Sequence, residues 1–448
     1  MAYLATSINE SPVITDKAGA AIEDVRGKAV KFTDEGHIAL CGAGEFALGV
    51  GIMTNDKNLA AGDDVHIQIK DIGLVRAGAP ITKGAELTAG DDGKFVAAES
   101  GFVRAIALEA AAAADVYIKA RLVEYTKGAV ASVSNETEFS TAIAEAADGA
   151  TIKLASDMEV TQSLPIDKSL TLDLNGKTIK AAADIWAKSG TLTVKNGTVQ
   201  VTGSADAFVV GDYLGGKDKA TGETTLVIEE GVNITTESGC CVYVRSSDYA
   251  ATVTTAGNLT ATGENAAAIQ GNGISKGDVV VTGGRVVCEN GTAIYHPQDG
   301  TLTISGGEVT GKVGIEIRAG KLIVTGGAIN GTVEEFSGLN PNGNGTTDKY
   351  GAAIAVSQHT TNLPLDVNIS GGVITGYYAL YEEDIQDENT DGIAIHVTGG
   401  TFNGRVSSEN VTGFVSGGLF TNAITEEQCA EGMTPTTEPD ENGYYTVA

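Results

Sequence analysis

Along the second half of the chain, apolar positions recur in one short phrase. Residues 301–331, TLTISGGEVTGKVGIEIRAGKLIVTGGAING, state it twice, as TLTISGGEV and KLIVTGGAI. The phrase aligns on Gly-Gly pairs that begin at Gly283, Gly306, Gly326, Gly371, Gly399 and Gly417. Two residues before each pair stand Val281, Ile304, Val324, Ile369, Val397 and Val415, all β-branched. Four residues before stand Val279, Leu302, Leu322, Val367 and Ile395, with Gly413 the one break. Three residues past the first glycine come Val286, Val309, Ile329, Ile374, Phe402 and Phe420. The residue just before each pair is Ser or Thr. A degenerate copy, TLTVKNGTV at 191–199, keeps Leu192, Val194 and Val199 in the same register. Alternation of period two puts the apolar side chains on one face of a strand, and the glycines allow a sharp turn to the next.

The pairs follow one another at intervals of 23, 20, 45, 28 and 18 residues. A second short strand follows in most copies: AFVVG (207–211), CVYVR (241–245), AAIQG (267–271), TAIYH (292–296), GIEIR (314–318), AAIAV (352–356) and YALYE (378–382). Repeats of this length indicate a solenoid. Three strands per turn, stacked like above like, make a parallel β-helix that needs a cap at each end. At ~4.8 Å per coil, about nine coils give a rod of roughly 45 Å.

The starting cap is legible in SNETEFSTAIAEAADGATIKLASDM. Asn135 can cap a helix with Glu138 three positions on, Phe139, Ile143 and Ala146 share a face, and Gly149 can end it. The segment LPIDKSLTLDLNGKTI (164–179) then alternates through Ile166, Leu170, Leu172 and Leu174 to an Asn-Gly turn. This succession resembles the start of the pectate-lyase-like right-handed β-helices. SGGLFTNAITEEQCAEGMTPT…ENGYYTV resembles the closing segment of such repeats in gut bacterial and phage surface proteins. The resemblance spans roughly 130–448 and implies fold; that fold hosts enzymes, adhesins and inert stalks alike.

The first 126 residues read differently. AAGDDVHIQIKDIGLVRAG alternates through Val65, Ile67 and Ile69, and ELTAGDDGKFVAA is a hairpin with Asp92-Gly93 at its tip. DVYIKARLVEY (115–125) alternates as a full strand, and Ala110–Ala114 reads as a strand end or turn. The expected fold is all-β. A small β-barrel occupies 1–126 and a linker 127–134. A right-handed parallel β-helix occupies 135–448, with a capping helix at 135–148 and a closing segment at 419–448. The order GKAVKFTDEGHIAL, EFALGVGI, AGAPITKGAELTAGDDGKFVAA, GFVRAIALEAAAAADVYIKARL resembles the small capsid decoration (cement) proteins of tailed phages, over most of 15–125. That resemblance implies binding to the outside of a capsid, commonly as trimers. Tyr3, Leu4, Ile8, Val13 and Ile14 in the opening stretch are the candidate contacts with capsid or a neighbouring subunit.

Charge narrows the partners. The chain holds 29 Lys+Arg and 58 Asp+Glu, a net charge of −29. Residues 1–126 carry 12 basic and 18 acidic residues, a net of −6; the remainder carries −23. Such an acidic excess argues against nucleic acid, because binding phosphates requires cations that displace counterions. No CxxC pair occurs among the five cysteines, which fits a reducing compartment. The opening MAYLATSINESPVITD has no basic n-region and no apolar h-region, so synthesis in the cytoplasm without general export is expected. No apolar run approaches the ~20 residues of a membrane span.

Candidate chemistry is sparse. NTDGIAI at 389–395 resembles the NTDG motif of polygalacturonases, but the rest of that pattern is missing and Asp391 has no partner carboxylate. Asp387, Asn389, Asp391 and Gly392 also fit the start of a Ca²⁺ loop, yet its twelfth position is Thr398 instead of Glu. An acidic turn before the strand IAIHV is the favoured reading. Arg245, Arg285, Arg318 and Arg405 lie scattered without an acidic cluster beside each, and the five histidines show no metal spacing. Insertions at 211–225 and 333–351 lengthen two coils, and Tyr213, Phe336 and Tyr350 there are the candidates for stacking on glycans. No catalytic residue, cofactor or resident metal is expected. The expected function is a structural virion protein on the outer capsid surface. It would bind the major capsid protein as a homotrimer and project the β-helix, with host glycans a further expected partner. A tailspike-type polysaccharide hydrolase or lyase and a bacterial adhesin are the alternatives.

Overall fold

The computed structural model describes residues 12–98, 101–127, 130–213, 218–335, 351–384 and 392–448. The chain divides into two compact units, Met1–Val130 and Ala131–Ala448.

In the first unit, Val13–Lys17, Asp64–Gln68, Gly49–Gly51, Ala29–Phe32 and Ile38–Leu40 form an antiparallel five-stranded sheet. A second antiparallel sheet runs Phe95–Ala97, Glu86–Ala89, Gly101–Ala107, Tyr117–Lys127, Ile72–Arg76. An isolated bridge from Ala77 to Phe95 joins its two edges and closes it into a small barrel. Val75, Leu87, Phe95 and Ile118 fill the interior. The hairpin tip falls at Gly93, whose φ of 75° suits a residue without Cβ. Ala111 makes a single bridge within a turn, in keeping with the alanine run's reading. Arg104 is a surprise: it sits mid-strand and is only 2% exposed. Its guanidinium donates to the carbonyls of Val123 (2.8 Å), Leu48 (2.9 Å) and Ile69 (2.5 Å), tying three segments together. Burial pulls its pKa below the usual arginine range.

The second unit is a parallel β-helix with three ladders. Ladder A is an eleven-stranded sheet from Val130–Val133 to Ile393–Val397. Ladder B, beginning at Met158–Val160, and ladder C, beginning at Leu164–Ile166, run round the remaining two sides as a continuous seventeen-stranded sheet. The strand Val130–Val133 and the end of Tyr117–Lys127 occupy most of the stretch expected to be linker. The reason is that the first coil needs a strand to cover its open edge. The capping helix, α1 (Glu136–Glu145), starts where expected. The Asn135 side chain accepts from the Glu138 amide at 3.0 Å, and Phe139 and Ile143 are buried on the first coil. It ends three residues earlier than 148, because Ala146 leaves helical geometry and Gly149, with φ of 78°, turns the chain into Ala150–Leu154.

The apolar columns stack in the register that the alignment implies. Val279, Leu302, Leu322, Val367 and Ile395 are successive partners in ladder A. Val281, Ile304, Val324, Ile369 and Val397 are partners beside them, and a bridge continues the column to Val415. Val286, Val309, Ile329, Ile374, Phe402 and Phe420 form the column in ladder B. All these residues are at most 2% exposed. The last two are stacked rings with centroids 4.9 Å apart. Past Phe420 one more parallel bridge, Val415 to Cys429, extends ladder A, and Leu419–Phe420 then pairs antiparallel with Tyr445–Thr446.

The two glycines of a pair do different work. Gly307, the second, has φ of 75° and turns the corner in the left-handed region. Gly306, the first, passes so near the coil below that a Cβ there would lie 2.5 Å from the Thr282 carbonyl oxygen. Gly283, in the first copy, stacks on Ala256 instead, and a Cβ would have 3.6 Å of clearance. Gly306→Ala should therefore cost about 1–3 kcal/mol by overpacking. Gly283→Ala should be neutral or gain up to ~1 kcal/mol through the unfolded chain. Thermal unfolding of the two variants checks this; an equal loss of Tm in both would refute the distinction.

Candidate functional site

Polar chemistry collects on ladder C and on the loops after it. Successive coils place Trp186, Val209, Tyr243, Gln270, Tyr295 and Glu316 in one outward column. Outward residues on a solvated sheet would be exposed, yet Trp186, Val209, Tyr243, Tyr295 and Glu316 are all buried.

At the start of this column sits a buried acidic pair that sequence reasoning missed. Asp184 and Asp206 lie at the corner before ladder C on adjacent coils, 4% and 9% exposed. Each carboxylate receives the backbone of the next coil: Asp184 from the Asp206 amide at 2.8 Å, and Asp206 from the Cys240 amide at 2.7 Å. Burial, with a smaller push from Asp184, raises the Asp206 pKa to about 6. Tyr213, one of the glycan-stacking candidates, belongs to this cluster. Its hydroxyl donates to Asp184 at 2.8 Å and its ring lies 5.1 Å from that of Trp186. The Trp186 indole N–H donates to the Gly211 carbonyl at 2.6 Å, and the Lys188 ammonium stands 4.9 Å over its ring. Asp212, 1% exposed, accepts from Ser247 Oγ (2.7 Å) and the Ala220 amide (2.9 Å), which ties down the insertion's return. No such pair was visible in the sequence, because coil stacking makes neighbours of residues 22 positions apart.

Further along, Glu316 and Arg318 form an ion pair at 2.6 Å with both side chains fully buried. The arginine also donates to the Gln358 carbonyl at 3.4 Å. Arg285 pairs with Glu308 at 3.1 Å. Among the described residues, each of these two arginines thus pairs with a single carboxylate. Alternation was the available signal for the buried pair, since residues two apart on a strand share a face. Glu382, buried, accepts from Ser408 Oγ at 2.5 Å and the Asn410 amide at 3.0 Å; desolvation raises its pKa. Tyr377, Tyr378 and Tyr381 form a chain of rings, with centroids 5.3 and 4.9 Å apart. The Arg405 guanidinium lies 4.6 Å over the Tyr377 ring.

The other expected positions divide between described and undescribed residues. Val13 and Ile14 belong to the edge strand Val13–Lys17, paired with Gln68 and Ile67. Tyr3, Leu4, Ile8, Phe336, Tyr350, Asp387, Asn389 and Asp391 lie outside the described residues. Thr398, the twelfth position of the Ca²⁺ pattern, is engaged in coil stacking: its hydroxyl donates to the Ile369 carbonyl at 3.4 Å. Among the described residues no cluster of three metal-ligating side chains occurs, and no helix is long and apolar enough to cross a membrane. His296 is 1% exposed, and burial lowers its pKa to about 4. All five cysteines are buried without disulfides.

The acidic pair makes a pH prediction. Asp206 titrates near 3.8 when unfolded and about 6 when folded. The folded state therefore holds the proton more tightly, and stability falls as pH rises between those values. Asp206→Asn keeps an acceptor for the Cys240 amide and removes this fall, worth about 3 kcal/mol at most. Its Tm advantage over the parent should grow from pH 4 to pH 7; a pH-independent difference would contradict the assignment.

No family model matches the chain, and no curated protein matches it. Among solved structures it is similar to the head fiber gp8.5 N base in bacteriophage phi29. The identity is 22%, the similarity covers 25% of this chain and 92% of that chain, and the TM-score is 0.21.

Proposed function

We propose that the chain is a structural component of a tailed-phage particle, with the first unit docking on the capsid and the β-helix carried outward. The observation that carries this reading is the division of labour. A self-contained antiparallel unit, Met1–Val130, precedes a separate solenoid that is capped at both ends. The pieces of the first unit also follow the order in which it resembles capsid decoration proteins. A homotrimeric base would make several weak shell contacts together, and avidity would tighten them. The net charge of −29 would keep particles apart.

The proposal assigns no catalytic step to the chain. Asp184 and Asp206 are two carboxylates on adjacent coils, the residue type a glycoside hydrolase uses. Both Asp184 oxygens and Asp206 Oδ1 accept from the Asp206 amide, the Tyr213 hydroxyl and the Cys240 amide, which supports a structural role. The ring of Tyr213 is packed on Trp186, so any glycan contact is better sought at Tyr377 with Arg405. A polysaccharide-cleaving enzyme remains the second reading, favoured by that same acidic pair.

Adding the purified chain to shells of its phage that lack it should give extra density at capsid lattice points in cryo-electron microscopy. Bare shells would overturn the proposal. Release of reducing ends or unsaturated sugars from bacterial glycans would establish the second reading.

A further inference from the structure

The first unit contains a cavity of about 550 Å³ whose wall carries Lys28, Lys57, Arg76 and Lys94. That is a third of the 12 basic residues among 1–126, gathered in a unit of net negative charge. Two of these cations are already answered. Arg76 pairs with Asp24 at 3.1 Å and Asp115 at 2.8 Å. Lys94 pairs with Asp92 at 3.0 Å and Asp115 at 3.1 Å.

Lys28 is not answered in this way. Its side chain is 9% exposed, and its one carboxylate neighbour among the described residues is Asp92 at 3.9 Å. That oxygen is the one Lys94 holds more closely. An ammonium carries three donors, and a carboxylate oxygen at 3.9 Å lies beyond hydrogen-bond reach of all of them. Lys57 stands on the same wall, exposed and without an ion pair among the described residues. Its carbonyl accepts from the Asp24 amide at 2.5 Å, which fixes its backbone beside the cavity. Asp24 is also held by Arg26 at 2.6 Å, so Arg26, Arg76 and Lys94 balance Asp24, Asp92 and Asp115. Glu23 is the remaining charge of the wall, and set against Lys28 and Lys57 it leaves a single positive. The accessible rest of the wall is apolar, made of Ala20, Ala21, Ala39 and Leu40 over the buried Ile22 and Ile38.

We propose that this cavity is a socket for one carboxylate side chain flanked by apolar residues, presented by a segment of a partner protein. Lys28 and Lys57 hold the carboxylate, and Ala20, Ala21 and Leu40, the accessible apolar residues of the wall, receive its apolar neighbours. A spare charge of one favours a carboxylate over a dianionic phosphate, which Glu23 and Asp24 would repel. Because the unit as a whole is acidic, an acidic partner gains little from long-range attraction. Recognition therefore depends on this local contact. Only the identity of the partner as the capsid shell rests on the virion reading; the socket does not.

The test uses the full chain with ¹³C-methylated lysines, which keep their charge. The probe is the peptide acetyl-Leu-Glu-Leu-amide, with its Gln counterpart and inorganic phosphate as controls. The Glu peptide should shift the Lys28 and Lys57 signals saturably, and the Gln peptide should bind about tenfold more weakly or not at all. Lys28→Met should keep the parent's Tm, since replacing a poorly paired buried ion by an apolar group is tolerated. It should weaken the Glu peptide about tenfold, as should Lys57→Met at an exposed position. No shift, equal binding of the Gln peptide, preference for phosphate, or unchanged affinity in both variants would overturn the socket. Peptide binding without shell decoration would sink the virion reading alone. Shell decoration without peptide binding would sink the socket alone.

Discussion

The β-helix depends on one repeated contact: a carbonyl of one coil accepting from the coil stacked on it. At Val281 the carbonyl accepts the Ser305 amide at 3.0 Å and its hydroxyl at 3.3 Å. The same double acceptance recurs at Val324 from Ser370, at Ile369 from Thr398 and at Val397 from Ser416. This explains why Ser or Thr always precedes the Gly-Gly pair: the hydroxyl adds a second donor to the inter-coil bond. It also explains the first glycine, because coils held at hydrogen-bond distance leave no room for a Cβ over the carbonyl below. Each coil is completed by its neighbours, so the ends need other solutions. At one end α1 and Val130–Val133 cover the first coil. At the other, the chain turns antiparallel through Tyr445–Thr446.

Stacking also creates the polar sites. It converts separations of roughly one coil into contact, which is how Asp184 meets Asp206 and Glu382 meets Ser408 and Asn410. The coil lengths are unequal, so no fixed offset in the sequence reveals such neighbours. The resulting groups are mostly satisfied within the fold, and their burial shifts titration toward the neutral form for Asp206, Glu382 and His296 alike. The first unit behaves differently. Its antiparallel sheets leave a cavity, and there Lys28 retains donors that the fold does not use.

Legibility followed physical range. Columns such as Leu302/Leu322 and Ile304/Val324 were readable because strand alternation and Gly-Gly corners are local and repeat. Asn135 and Glu138 were readable because a helix cap spans three residues. The degenerate copy was readable in its apolar positions but not in its turn. There Asn196, with φ of 59°, takes the left-handed place that the second glycine takes elsewhere, one position earlier. Arg104 was illegible, because its acceptors Leu48, Ile69 and Val123 come from three separated segments.

By itself, then, the sequence determined the repeating strand, its inward face, its corners, the starting cap and the acidic character of the whole. These follow from interactions a few residues long, repeated often enough to be seen in one chain. The tertiary structure alone decided which acids share a corner and that Arg285 finds Glu308. It also decided which outward face is buried and which lysine is left short of acceptors. Those outcomes depend on the lengths of intervening loops and on which backbone lies across the gap, and neither is written in any local pattern.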